Sequence, residues 1–124
     1  MSIRIAETQV LNAVLDLLQA LRVVAFRMNT GMMRAEHKGK IRIIRFGVPG
    51  MADLLAIPTV RGKFKGLDVC WCEPWFLECK SASGRQSAAQ RSFQKQVTGA
   101  GAQYFIIRSA DELEDHLRRH GVIR

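Results

Sequence analysis

In Trp75-Phe76-Leu77-Glu78-Cys79-Lys80 an apolar run ends in a carboxylate and an ammonium two residues apart. Alternate residues of a strand point to one face, so Glu78 and Lys80 share a side and bring opposite charges into one small site. Upstream, Gly50-Met51-Ala52-Asp53 leads into Leu54-Leu55-Ala56-Ile57, which puts a second carboxylate at the start of another candidate strand. If the two strands pair, Asp53 and Glu78 meet at a divalent cation while Lys80 reaches an adjacent anion or water. Hard cations such as Mg²⁺ take a few carboxylates together with phosphate oxygens and water, the chemistry of metal-assisted phosphodiester cleavage. The structural alternative is an i,i+2 ion pair on the solvated side of a surface strand, which is what most charge runs are.

The wider composition bears on that choice. A chain of 124 residues makes a single domain, residues 1–124, with one core. Its hydrophobic content of 48% is that of a globular protein. Nineteen Lys and Arg against eleven Asp and Glu give a formal net charge of +8 and a pI near 10.1, which favours a polyanionic partner, by default nucleic acid. No apolar run approaches the roughly 18 residues needed to cross a bilayer, and Met1-Ser2-Ile3-Arg4 lacks the apolar segment of a signal peptide. A soluble, intracellular, cytoplasmic protein with no membrane partner is expected. Three cysteines, with Cys70 and Cys72 two apart and Cys79 inside the candidate strand, do not form a disulfide framework; reduced thiols are expected.

The coarse pattern is helix, several strands, helix, strand, helix. Leu11, Val14, Leu18 and Leu21 recur at helical spacing over residues 4–22, and one turn before Leu11 stands Glu7, which continues the buried stripe and needs a partner or a metal there. Val24-Ala25-Phe26 reads as a strand, Asn29-Thr30-Gly31 as a turn, residues 32–40 as a basic loop and 41–46 as a strand broken by Gly47-Val48-Pro49-Gly50. Residues 61–66 read as a mobile basic turn, with a short strand near Val69–Trp71. A helix follows Ser83-Gly84, with Gln86, Gln90, Phe93 and Val97 on one face, and ends near Gly99 or Gly101. Gln103-Tyr104-Phe105-Ile106-Ile107 is a buried strand, and Ser109-Ala110-Asp111-Glu112 is a capping box that opens a last helix running to His120. An α/β architecture with a mixed central sheet flanked by helices follows.

These residues carry a resemblance. An early-helix Glu7, then Gly50-x-x-Asp53 before a strand, then Glu78-x-Lys80, then Gly84-Arg85-Gln86 followed by a helical Gln90, then Gly101-x-x-Tyr104-x-Ile106 resembles, in this order, the PD-(D/E)xK nuclease superfamily. It is most similar to the stand-alone virus-type replication-repair nuclease (VRR-NUC) domains of phages and bacteria. Ala52 departs from the proline that usually precedes the Asp, a residue that shapes backbone and does no chemistry. The resemblance implies a restriction-endonuclease-like αβββαβ core and a Mg²⁺- or Mn²⁺-dependent endonuclease acting on branched DNA such as Holliday junctions, as a homodimer. It also implies that the Cys79 backbone carbonyl joins Asp53 and Glu78 as a metal ligand and that Gln90 acts in the site.

The residues thereby receive roles. Asp53 and Glu78 hold the metal, and Lys80 stabilises charge or activates water. Glu7 either supports the site or complements the helix dipole. Gln90 is a site residue by resemblance, yet Ser87-x-x-Gln90 is itself a capping box. Arg34, Lys38, Lys40, Arg42 and Arg45, together with Lys63 and Lys65, stand on either side of Asp53 in sequence and form a DNA-gripping rim, to which the motif's Arg85 is added. Cys70-x-Cys72 lacks a second pair with zinc spacing, and His116 and His120 near a helix end are expected to be solvated. Without Gly-x-x-x-x-Gly-Lys, ATP use is not expected. The function from another class is a non-catalytic basic module that binds nucleic acid, with Glu78-x-Lys80 as a structural ion pair.

Overall fold

A computed structural model describes residues 5–28 and 31–124, with side chains described for all of these except 31–35 and 44–46. Val10, Leu11, Val14 and Leu18 lay one buried stripe along the first helix, α1 (Glu7–Ala20). The chain continues through β1 (Val24–Arg27), β2 (Gly31–His37), β3 (Lys40–Phe46), β4 (Leu54–Ile57), β5 (Thr59–Phe64), β6 (Leu67–Cys72) and β7 (Trp75–Cys79). It closes with α2 (Ala88–Gly99), β8 (Gln103–Ile107) and α3 (Ala110–Arg119). Two details of α1 differ from the sequence reading. The helix starts at Glu7, so this residue's stripe has not yet reached the sheet and its side chain keeps 53% of its exposure. Leu21 falls at the C-cap and is likewise outside the stripe.

The protein is mixed α/β. Strands β1, β4, β7 and β8 form one sheet in that spatial order, antiparallel except for the parallel pair β7–β8. A parallel neighbour needs a crossover, and α2 supplies it. Alternation then sorts the side chains between two faces. Leu54, Ala56, Trp75, Leu77 and Ile107 pack with the stripe of α1 and with Leu113 and Leu117 of α3. Ala52, Phe76, Tyr104 and Ile106 pack on the other face around Phe93 of α2. Helices thus cover both faces, and the near-continuous burial of β7 is what a strand between two helical layers requires. Without β2, β3, β5 and β6 the order is helix, three strands, helix, strand, helix. Among the described residues no helix is long and apolar enough to cross a membrane.

The remaining strands make two separate hairpins, β2–β3 and β5–β6. Both turn on a Lys-Gly pair in the left-handed region, Lys38 (φ 50°) with Gly39 (φ 75°) and Lys65 (φ 50°) with Gly66 (φ 79°). Two consecutive positive φ values are the signature of the tight hairpin turn whose twist matches its strands. The segments read from sequence as a basic loop (32–40) and a mobile turn (61–66) therefore supply the first strand and the turn of two hairpins, whose second strands include those read at 41–46 and near Val69–Trp71. Lysine is a poor occupant of the first left-handed position, so the usual Asn-Gly or Asp-Gly signal is missing. The turn expected at Asn29-Thr30-Gly31 lies outside the described residues at 29–30.

Candidate active site

The pairing of β4 with β7 sets Leu54 opposite Leu77, and one residue further along each strand Asp53 meets Glu78. Hydrogen bonds hold Asp53 from both sides. Its Oδ2 accepts the Cys79 amide at 2.7 Å, and its carbonyl accepts the Met28 amide at 2.8 Å, which ties the end of β1 to the same point. Lys80 follows β7 and donates its amide to the Ile107 carbonyl at 2.9 Å. Its stem lies beneath the loop at Gly84, where an added Cβ would stand 3.3 Å from Lys80 Cδ. The ammonium reaches Glu7 Oε1 at 3.4 Å and Glu78 Oε1 at 3.8 Å. Glu7 therefore enters the site from a helix end.

Gln90 arrives from α2 and has two occupations at once. Its Oε1 accepts the Ser87 amide at 2.8 Å and its own amide donates to Ser87 Oγ at 3.1 Å, which closes the capping box. Its Nε2 donates to Glu78 Oε1 at 2.9 Å. One residue thus closes the capping box and reaches Glu78. Gln86, by contrast, precedes the helix and donates to Gln94 Oε1 at 2.8 Å and the Tyr104 hydroxyl at 3.2 Å, away from Glu78. Two further residues set the frame, Gly50 of the Gly50-x-x-Asp53 motif and Arg108, which the sequence reading did not single out. Gly50, at φ 77°, lies so close to α2 that a Cβ would overlap the Ala89 carbonyl and stand 2.6 Å from the Gln90 nitrogen. The Arg108 guanidinium donates to the carbonyls of Ser81 and Gly84, the latter at 2.8 Å, and so pins the loop that covers Lys80.

Glu7, Asp53, Glu78, Lys80 and Gln90 line one cleft of about 310 Å³, together with Cys79. Thr8, Leu11 and Arg27 complete it. Glu78 is 3% exposed, and burial together with the neighbouring Asp53 pushes its carboxyl up to about 8, against a smaller opposing pull from Lys80. Its Oε2 is buried without any hydrogen-bond partner. An unpartnered buried oxygen beside a second carboxylate is costly as it stands and is well suited to a small hard cation. Among the described residues no three His, Cys, Asp or Glu side chains gather into a preformed metal cage. Two carboxylates are nevertheless enough for Mg²⁺, which keeps much of its shell as water and substrate oxygen. The Cys79 side chain packs in the core, and burial followed by Asp53 pushes its thiol up to about 12, so it is no nucleophile.

The basic residues divide between the ends of the sheet. Lys38, Lys40 and Arg42 are exposed on β2–β3, which is inserted between Arg27 and Asp53 at the cleft end, and Arg85 is exposed on the loop leading to α2. The side chains of Arg34 and Arg45 lie outside the described residues. Lys63 and Lys65 sit on β5–β6, which leaves the other end of β4 and is tied by the Arg61 amide to the Gly121 carbonyl at 3.2 Å beyond α3. Lys63 is moreover paired with Asp68 at 2.7 Å. The basic residues that stand on either side of Asp53 in sequence are therefore not gathered around it in space, because β4 runs from the cleft to the other end of the sheet. Cys70 and Cys72 are exposed and free. His116 and His120 are not merely solvated: both rings pack on Phe105, at 4.2 and 5.5 Å between centroids, and burial lowers the His116 pKa. No family model, curated protein or solved structure matches this chain.

Proposed function

We propose that this chain is a metal-dependent DNA endonuclease, a hydrolase of phosphodiester bonds with a restriction-endonuclease-like αβββαβ core of the VRR-NUC kind. The observation that carries this reading is the meeting of Asp53 with Glu78, whose Oε2 has no partner, beside the Lys80 ammonium. The order of the elements once the two hairpins are set aside also supports it. Asp53 and Glu78 would hold Mg²⁺ or Mn²⁺, with the Cys79 carbonyl at the same rim. Such a cation, when bound, supplies Lewis acidity toward a phosphoryl oxygen and acidifies water.

The other steps belong to side chains. Gln90 fixes the direction of the Glu78 carboxylate through its 2.9 Å hydrogen bond. Glu7 holds the Lys80 ammonium, which stabilises negative charge on the phosphate or orients the attacking water. Positive charge on the β2–β3 hairpin and at Arg85 attracts the DNA backbone. Branched DNA of an intracellular replication or repair process, such as a four-way junction, is the substrate proposed, and paired incision by a homodimer the mode of action.

A second reading has its own support. Lys80 already lies within ion-pair range of Glu7 and Glu78, which is also the arrangement of a structural ion pair in a non-catalytic DNA-binding module. Labelled four-way, flap, nicked and linear DNAs incubated with Mg²⁺, Mn²⁺ or chelator discriminate the two. The nuclease reading expects metal-dependent strand scission that Lys80→Ala slows on the order of 10²–10³-fold. Absence of cleavage on every substrate, or cleavage by Lys80→Ala at the wild-type rate, overturns it.

A further inference from the structure

Arg27 ends β1 and follows Ala25 on the face that packs toward α1, so it enters the cleft from the side opposite Gln90. The ammonium of Lys80 is engaged by Glu7 and Glu78, whereas no ion pair among the described residues includes Arg27. An exposed guanidinium without a carboxylate partner, set in the wall of an acidic cleft, has its donors free for a ligand. The charges of the cleft define that ligand. Once a divalent cation holds Glu78 in its charged form, the formal charges of Glu7, Asp53 and Glu78 stand against those of Lys80, Arg27 and the cation. The loaded lining then carries one positive charge, the amount that a single phosphodiester neutralises. Without Arg27 the loaded cleft would be neutral and would offer a phosphodiester no net attraction.

We infer that Arg27 is the phosphate-gripping residue of the cleft, its guanidinium holding the non-bridging oxygens of one DNA phosphodiester against the Asp53–Glu78 pair. The planar fork of arginine matches two such oxygens, which a lysine at the same place would not. This inference rests on reading the cleft as a phosphodiester site, and it separates two affinities that a purely structural residue would lower together. Removal of Arg27 weakens DNA binding, yet it takes a positive charge away from the cation and so leaves metal binding intact or stronger.

The test uses the full chain, Arg27→Ala and Arg27→Lys, with a fluorescent four-way DNA junction titrated in Ca²⁺ at several salt concentrations. Thermal melting with and without Mn²⁺ reads the metal separately, and strand scission in Mg²⁺ is scored on the same samples. Arg27→Ala is expected to lose roughly ten- to a hundredfold in junction affinity and to flatten the logarithmic salt slope by about one unit. It is also expected to keep or enlarge the Mn²⁺-induced gain in melting temperature. Arg27→Lys should restore the salt slope but not the full affinity. Wild-type affinity and slope in Arg27→Ala overturn the inference, as does loss of the Mn²⁺ response together with DNA binding, or a wild-type chain that binds no junction. A wild-type protein that binds but cleaves nothing overturns the nuclease reading alone, because the binding comparison still decides what Arg27 does.

Discussion

Glu78 lies under opposing demands at the residue scale. Burial and Asp53 favour its neutral form, while Lys80 and any bound cation favour the charged one. Its folded pKa of about 8 exceeds the ordinary 4.5, so the folded state binds the proton more tightly than the unfolded chain. The stabilisation this provides is full below the unfolded value and is lost as pH rises through the folded one. In chelator, the melting temperature of the wild type should therefore fall between about pH 4.5 and about 8 relative to Glu78→Gln, which cannot titrate there. At the upper end Mg²⁺ should raise the melting temperature of the wild type and leave Glu78→Gln unmoved. Calorimetry across this range checks both statements, and parallel profiles for the two proteins would remove the like-charge pair from the description. Asp53→Ala should abolish the Mg²⁺ response as well, while DNA affinity survives or increases because a negative charge leaves a phosphate-facing wall.

At the scale of elements, the approach of α2 to the Asp53 turn decides whether Gln90 reaches Glu78. That approach requires a residue without a side chain at Gly50, both for its φ of 77° and for the Ala89 carbonyl above it. Gly50→Ala costs about 1–3 kcal/mol from backbone strain alone, and the displaced helix withdraws Gln90 from the cleft. Lower stability together with slower cleavage is expected. Gly99, at the other end of α2, has open space around it and serves as the control, since Gly99→Ala should leave cleavage unchanged and keep or slightly raise the melting temperature. An unaltered melting temperature in Gly50→Ala would show that the turn relaxes away from α2. A similar dependence holds for α3. Ser109 Oγ accepts the Glu112 amide at 3.2 Å as the sequence predicts, but the Glu112 carboxylate accepts the amide of Arg108, one residue before the cap, at 2.8 Å. The capping carboxylate thus fixes the backbone of the arginine that pins the loop over Lys80.

For the whole molecule, the two hairpins put positive charge at opposite ends of the sheet, and only one end holds the cleft. Lys38→Ala with Lys40→Ala should therefore flatten the salt dependence of DNA binding by about two units, whereas Lys63→Ala with Lys65→Ala should change it far less. Equal effects from both pairs would mean that DNA wraps the molecule from end to end. Light scattering tests the homodimer, which a monomer mass with and without DNA would exclude. Helices, the strands of the central sheet and the carboxylate pair with its lysine were legible in the residues themselves. Each is written in local terms, as a 3.6- or 2-residue period or as neighbours on one strand. Of each hairpin only the second strand was legible, at 41–46 and in part near Val69–Trp71, because strands exposed on both faces, as β6 largely is, show no burial period and the lysine turns lack the usual signal. Arg27 and Arg108 were silent for another reason. Nothing in the neighbours of Arg27 distinguishes it from other surface arginines; the register of β1 on β4, with Arg27 opposite Leu54, brings it beside Asp53. Local chemistry thus named the groups that could hold a cation, and only strand pairing and the seating of α2, which depend on contacts distant along the chain, decided which residues surround them.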